Sequence, residues 1–222
     1  MHSIRDFDPN ANITYVVDPN INDGGTEVAD VVYDCGDDER AKILGMAKAD
    51  YDLTFYIDAD CEVQSDELPR VFDLLGDHDM MFTALPDSRQ HFFQEHIWPA
   101  GKFSWCGAVC LYKKSMKEFM QDWYDLTYRQ YRGEWWPTKE DGTWDTDNYP
   151  RSLARWDQFS LWWLLNKEPK YKDLKVGRLD GWDDYRWNYF TSYAHMHCYK
   201  EPIIYHLSAT DAKMNYRDNS SP

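Results

Sequence analysis

The segment Leu53-Thr54-Phe55-Tyr56-Ile57, followed by Asp58-Ala59-Asp60, constrains this chain more than any other. It is short, mostly apolar and without alternation, the pattern of a strand covered on both faces, which occurs in sheets that carry helices on either side. The neighbouring segments fit such a sheet. Ile13–Val17 is a β-branched and aromatic run closed by Asp18-Pro19-Asn20, and Val28–Tyr33 reads as a second short strand. Asp37 or Asp38 is placed to cap a helix running through Ala49, with Ala41, Ile43, Leu44 and Ala47 at helical spacing. After the acids come a helix from Ser65 to Leu75, strands at Asp79–Leu85 and Phe103–Tyr112, and a helix over Ser115–Tyr131. A polar loop, Gly133–Pro150, leads to a helix over Arg151–Asn166 and to late strands at Lys175–Leu179 and Ile203–Leu207. The expected class is therefore α/β, with a mixed, mostly parallel central sheet flanked by helices.

With 222 residues the chain reads as a single domain, and its charge of −15, from 24 basic and 39 acidic side chains, argues against nucleic acid as a partner. No stretch is apolar for long enough to span a membrane, and Met1–Asn12 has no apolar core of the signal-peptide kind, so a soluble, cytoplasmic chain is expected. Five widely spaced cysteines, Cys35, Cys61, Cys106, Cys110 and Cys198, read as reduced thiols. Aromatic residues make up 17% of the chain, and several lie in stretches too polar for core: Trp135-Trp136, Trp144, and the run from Trp182 to Trp187. Such rings suit sugar faces, nucleobases or a protein partner. The same rings also suit a loosely packed rim over the core.

Asp58 and Asp60 stand at the carboxyl end of the apolar strand, where open α/β sheets bind ligands. Two carboxylates one residue apart can reach one hard cation, and Mg²⁺ or Mn²⁺ keeps open positions for phosphate oxygens. Two solvated loop aspartates give the same tripeptide. Arg40-Ala41-Lys42-Ile43-Leu44, followed by Tyr51 through Asp60, resembles the signature of GT-A (Rossmann-like) nucleotide-diphospho-sugar transferases, in particular the glycogenin and galactosyltransferase-like group. Phe103–Tyr112, the pair Asp157-Gln158, and His206 after Ile203-Ile204-Tyr205 follow in the family's order, so the resemblance covers roughly residues 40 to 213.

The resemblance implies a metal-dependent glycosyltransferase that moves a sugar from a nucleotide-diphosphate donor, a UDP-sugar, to a glycan or glycoprotein acceptor. It implies Mn²⁺ or Mg²⁺ held by Asp58, Asp60 and His206, a donor site including Asp18, Arg40, Asp58, Ala59, Asp60 and Lys213, and Asp157 and Gln158 beside the reacting sugar. Residues 1–110 would form mainly the donor and metal half and 111–214 mainly the acceptor half, with 215–222 a tail. Trp135, Trp136, Trp144, Trp182, Asp183 and Asp184 are the candidate acceptor contacts. Two departures stand out: Trp105-Cys106-Gly107 occupies the place of an Asn-x-Gly, and Lys213 is not at the family's usual spacing from His206.

A cation also answers the charge problem, because a diphosphate entering a protein of −15 beside two carboxylates is otherwise repelled. Read without the resemblance, Asp157 is an acid in an early helical turn, favoured there by the dipole. If the reaction inverts, Asp157, Asp183 or Asp184 could be its base. Two other functions use the same residues. In a phosphatase-like hydrolase Asp58 would be the nucleophile and Asp60 the acid and base, although Glu62 departs from that family's pattern. A non-catalytic carbohydrate-binding protein would use the aromatics alone. His195 and His197, with Cys198 adjacent, match no zinc spacing and read as rim residues.

Overall fold

A computed structural model describes residues 2–17, 25–36, 40–84, 105–180, 184–191, 198 and 200–207. Asp18, Trp182, Asp183, His195, His197 and Lys213 lie outside the described residues, as do Asp37, Asp38 and the tail. The described elements are, in order, α1 (His2–Phe7), β1 (Thr14–Val17), β2 (Val31–Asp34), α2 (Ala41–Lys48), β3 (Leu53–Ile57), β4 (Cys61–Val63), β5 (Met80–Ala84), β6 (Trp105–Lys113), α3 (Lys117–Tyr131), α4 (Asp157–Asn166), β7 (Val176–Arg178), β8 (Tyr189–Phe190) and β9 (Ile204–His206). All five cysteines are free thiols. No described helix is long and apolar enough to cross a membrane.

The strands form three sheets, ordered β1-β2, β3-β6-β5-β7 and β4-β9-β8. Among the described strands the central sheet is mixed and not mostly parallel: β6 runs antiparallel to both β3 and β5, and β5 and β7 are parallel. Hydrophobic pattern reports burial and is silent on direction, so a doubly covered antiparallel strand such as β6 reads like a parallel one. Core packs on both of its faces: Cys110 and Tyr112 join Ile43, Met46, Phe119, Met120 and Trp123, while Val109 and Leu111 join Val71, Met81, Phe159 and Phe190. α3 presents Phe119, Met120, Trp123 and Thr127 as its buried stripe, the spacing expected of one helical face.

Between Phe82 and Thr83 the β5–β6 register jumps, so that Phe82 opposes Cys110 and Thr83 opposes Cys106. Gly107 sits in the displaced stretch. A Cβ there would lie 3.0 Å from Trp123, so glycine lets that indole pack onto the strand. Ala108, next to it, accepts the backbone N–H of Asp58 at 2.8 Å. The glycine of Trp105-Cys106-Gly107 thus serves packing directly behind the acids.

Two expected helices differ. Ser65–Leu75 is a 3-10 helix confined to Leu68–Leu74, with Pro69 in its first turn. The segment expected as one helix over Arg151–Asn166 is broken: a 3-10 helix, Arg151–Arg155, is followed by Trp156 in extended conformation (φ −109°, ψ 121°) and then by α4. Fully buried Gln130 on α3 explains how the break is tolerated, since its amide donates to the carbonyls of Ala154 (2.9 Å) and Trp156 (2.8 Å) that a continuous helix would have paired internally. The break makes Asp157 the first residue of a helix.

Candidate active site

β3 ends at the turn Asp58-Ala59-Asp60, closed by the Cys61 N–H donating to the Asp58 carbonyl at 3.1 Å. β4 then leaves the turn and pairs with β9, placing Cys61 opposite His206, and the Leu207 N–H donates to the Asp60 carbonyl at 2.8 Å. Residues 146 positions apart in the chain are thereby held side by side. Asp60 Oδ1 lies 3.3 Å from His206 Nε2.

The His206 ring is fixed on every side. It stacks on Phe190 with centroids 4.1 Å apart, and its Nδ1 lies 2.9 Å from Asn188 Oδ1. Buried Asn188 in turn donates its amide to Thr83 Oγ1 at 2.9 Å, which turns its carbonyl oxygen toward the imidazole. Nδ1 is therefore the ring donor toward Asn188, and Nε2 faces the Asp60 carboxylate. A ring nitrogen and a carboxylate oxygen 3.3 Å apart call for something positive between them. Either a proton or a divalent cation satisfies that requirement, and an oxygen-plus-imidazole donor pair suits Mn²⁺. Among the described residues, the ligand-type atoms gathered within 4.8 Å belong to Asp60, Cys61 and His206. Burial, reinforced by the charges of Asp58 and Asp60, pushes the Cys61 thiol up.

Asp58 faces another way. Its Oδ1 accepts the Tyr56 hydroxyl at 2.6 Å, and its Oδ2 lies 3.6 Å from Lys42 Nζ, which is 2.9 Å from Asp157 Oδ2. Lys42 thus bridges the end of β3 to the first turn of α4. Burial raises the Asp58 carboxyl, against the pull of Lys42 and the Tyr56 hydrogen bond, with Asp157 and Asp60 adding to the rise. Burial alone would lower the Lys42 ammonium, but the charges of Asp157 and Asp58 overcome it and hold its pKa above the ordinary value. The three residues expected as one ligand set are divided: Asp60 and His206 meet, while Asp58 is engaged by Lys42 and Tyr56.

Arg40, the basic residue singled out from the sequence, does not reach these acids. Its Nη2 donates to the Arg155 carbonyl at 2.9 Å, and its guanidinium lies over Tyr131 at 4.9 Å. Positions 40 and 42 at a helix start point to different sides, so only one can face the β3 end, and that one is Lys42. Asp157 is buried, its carbonyl oxygen receiving the Trp123 indole N–H at 3.0 Å. Gln158 follows, with its Oε1 shielded from solvent and without a donor.

The tryptophans sort by burial. Trp136 is 2% exposed and donates its indole N–H to the Tyr149 carbonyl at 2.9 Å. Trp135 packs against Trp136, Phe159 and Trp163. Trp136 belongs to the core, because the loop folds back over α4, and has no free face for a sugar, while Trp135 is half-buried against that core. Trp144 is 44% exposed and remains available. Asp184 is half-buried, with Oδ1 lacking a hydrogen-bond partner. Asp58, Ala59 and Asp60 border a cavity of about 890 Å³ between β1 and β3, lined also by α2 and by Pro69, Val71 and Phe72. Among the described residues β3 pairs with β6 alone, its other edge borders this cavity, and most of its residues are half-exposed, less covered than the apolar run suggests.

Lys42, Asn188, Thr83 and Gln130 were not singled out from the sequence. Lys42 lies within the recognised Arg40–Leu44 segment, and the others act through contacts made only in the folded chain.

No family model matches the chain, and no curated protein matches it in sequence. Solved structures do. The galactosyltransferase LgtC in complex with donor and acceptor sugar analogues matches with a TM-score of 0.56 at 13% identity, over 94% of this chain and 81% of that one. A structure of an active-site Gln→Glu variant of LgtC matches with a TM-score of 0.55 at 13% identity, over 97% and 88%. At this level of identity the fold is what is shared, and it is the GT-A fold anticipated from the motif order.

Proposed function

We propose that the chain is a metal-dependent glycosyltransferase that moves a sugar from a nucleoside-diphosphate donor, a UDP-sugar, to a glycan or glycoprotein acceptor. The single observation that carries this reading is the Asp60–His206 pair, a carboxylate oxygen and a ring nitrogen held 3.3 Å apart at a sheet end that borders a large cavity. Asp60 and His206 would hold Mn²⁺ (or Mg²⁺), with Asp58 on the same turn. Such an ion supplies charge neutralisation to the departing diphosphate. The cavity of about 890 Å³ falls within the size range of small-molecule sites, large enough for a nucleotide sugar.

The chain's own groups divide the remaining work. Lys42 offsets one of the two charges of Asp58 and Asp157 and keeps their carboxylates in place, so that negative charge can approach without meeting two bare acids. Asp157 and Gln158, at the start of α4, are the groups assigned to the reacting sugar. Gln158 Oε1, shielded and without a donor, is an acceptor whose hydrogen-bonding capacity is unmet. That an active-site glutamine exists in LgtC supports the assignment. Arg40, Asp18 and Lys213 remain the proposed phosphate and nucleotide contacts, and Trp144 with Trp182, Asp183 and Asp184 the proposed acceptor contacts. The hydrolase reading is less favoured because both Asp58 oxygens are engaged, by Tyr56 and Lys42.

The test is calorimetric titration of uridine diphosphate with Mn²⁺ into the wild type and Asp60→Ala. Saturable, Mn²⁺-dependent binding that is lost in the variant, with an unchanged circular dichroism spectrum, is expected. Equal affinity in the two proteins would remove the basis of the proposal.

A further inference from the structure

Arg151 and Arg155 are two guanidinium groups set beside one hollow. Among the described residues neither makes an ion pair, and each rests on indole rings instead. Arg151 lies between Trp136 and Trp144, 4.8 and 4.5 Å from their centroids, and its Nη1 is shielded from solvent with no acceptor. Exposed Arg155 lies over Trp156 at 5.1 Å. Stacking occupies the faces of a guanidinium and leaves its in-plane donors for a bidentate oxygen acceptor. The two arginines, with Tyr131, Ser152 and Ala154, border a hollow of about 350 Å³.

The hollow adjoins the candidate site. α2 and the segment entering α4 are tied at two successive rungs, Arg40 to the Arg155 carbonyl and Lys42 to Asp157, each at 2.9 Å. Only extended Trp156 separates Arg155 from Asp157, so their Cα atoms are about 7 Å apart.

We propose that this hollow binds an anionic group, a phosphate monoester or a carboxylate, carried by the molecule that accepts the sugar. The acceptor half of this statement rests on the proposed transferase activity, while the anion-binding half stands without it. Glucose 6-phosphate, glucuronate and glucose are titrated separately into the full chain in the absence of metal, read by tryptophan fluorescence, since Trp136, Trp144 and Trp156 surround the arginines. Saturable quenching by at least one of the two anionic sugars and none by glucose is expected, weakened about tenfold in Arg155→Gln and in Arg151→Lys, which keeps the charge but loses the fork. The response should persist in Asp60→Ala and fall with added salt. Which anion responds identifies the group recognised. Because Arg155 is exposed, its variant tests binding without touching the core, and thermal melts of both variants check the fold. No response to either anion, an equal response to glucose, an unchanged Arg155→Gln, or loss in Asp60→Ala would overturn the proposal. Failure of uridine diphosphate to bind leaves this titration readable.

Discussion

Replacing Lys42 with methionine keeps most of the side chain's bulk and removes one charge from between two acids. At 2.9 and 3.6 Å, and an effective dielectric constant of about 20, the attractions to Asp157 and Asp58 are about 6 and about 5 kcal/mol before desolvation. Desolvation of the three groups offsets much of this, so the intact bridge stabilises little. Breaking it is different, because Asp157, with a side chain only 5% exposed, and Asp58 are left beside each other without a cation. The expected loss is about 3–5 kcal/mol at pH 8. The pH dependence follows from the sign of the shifts. With Lys42 absent, the buried Asp58 carboxyl of the folded variant takes up its proton at higher pH than in the unfolded chain, so the variant loses stability as pH rises above about 4. Asp58, already raised by burial in the wild type, leads this change. The lysine's own contribution in the wild type is fully present below its unfolded value and disappears only as pH climbs toward its raised folded value, outside the measured window. Urea melts of both proteins at pH 5 and pH 8 are the assay. A deficit below about 1 kcal/mol at pH 8, or one that is equal at the two pH values, would refute the argument that Lys42 holds apart two dry carboxylates.

Asp180 is 5% exposed, and burial pushes its carboxyl up to about 7, against the Trp187 N–H and Arg178, with Oδ2 left unpaired. The folded state therefore favours the protonated acid, and stability is lost as pH rises from about 4 to about 7. Asp180→Asn should match the wild type near pH 4 and exceed it by up to about 4 kcal/mol at pH 8, measured by urea midpoints; a constant gap would argue against the buried acid. Trp136→Ala should cost about 3–5 kcal/mol in a thermal or urea melt. Trp144→Ala should leave stability within about 1 kcal/mol and raise the acceptor KM; a large stability loss in Trp144→Ala would contradict its exposed placement.

Much of the fold can be read locally. Ile13–Val17, Leu53–Ile57 and Ser115–Tyr131 announce themselves by composition and period, and the observed elements lie within or beside them. The break at Trp156 could not be read, because Arg151–Asn166 is helical in local preference and the interruption is stabilised by the buried amide of Gln130 on another helix. β4 and β8, three and two residues long, exist only through their pairing with β9. Composition also could not separate Trp136 from Trp144, since both lie in the same polar loop; only the closure of that loop over Phe159 makes one of them core.

The chemistry of the candidate site divides along the same line. Placement along the chain sufficed to pick Asp58 and Asp60, acids directly behind an apolar strand, while Asp157 and His206 entered only through the resemblance in motif order, since the helix expected from Arg151 hid the break that puts Asp157 at a helix start. Their partnerships came from folding. The β4–β9 register sets His206 beside Asp60, and the side of α2 that faces the sheet gives Asp58 and Asp157 to Lys42 and not to Arg40. Charge interactions act across a few ångströms of space without regard to separation in sequence, so the pairing of these ionised groups is a property of the packed chain.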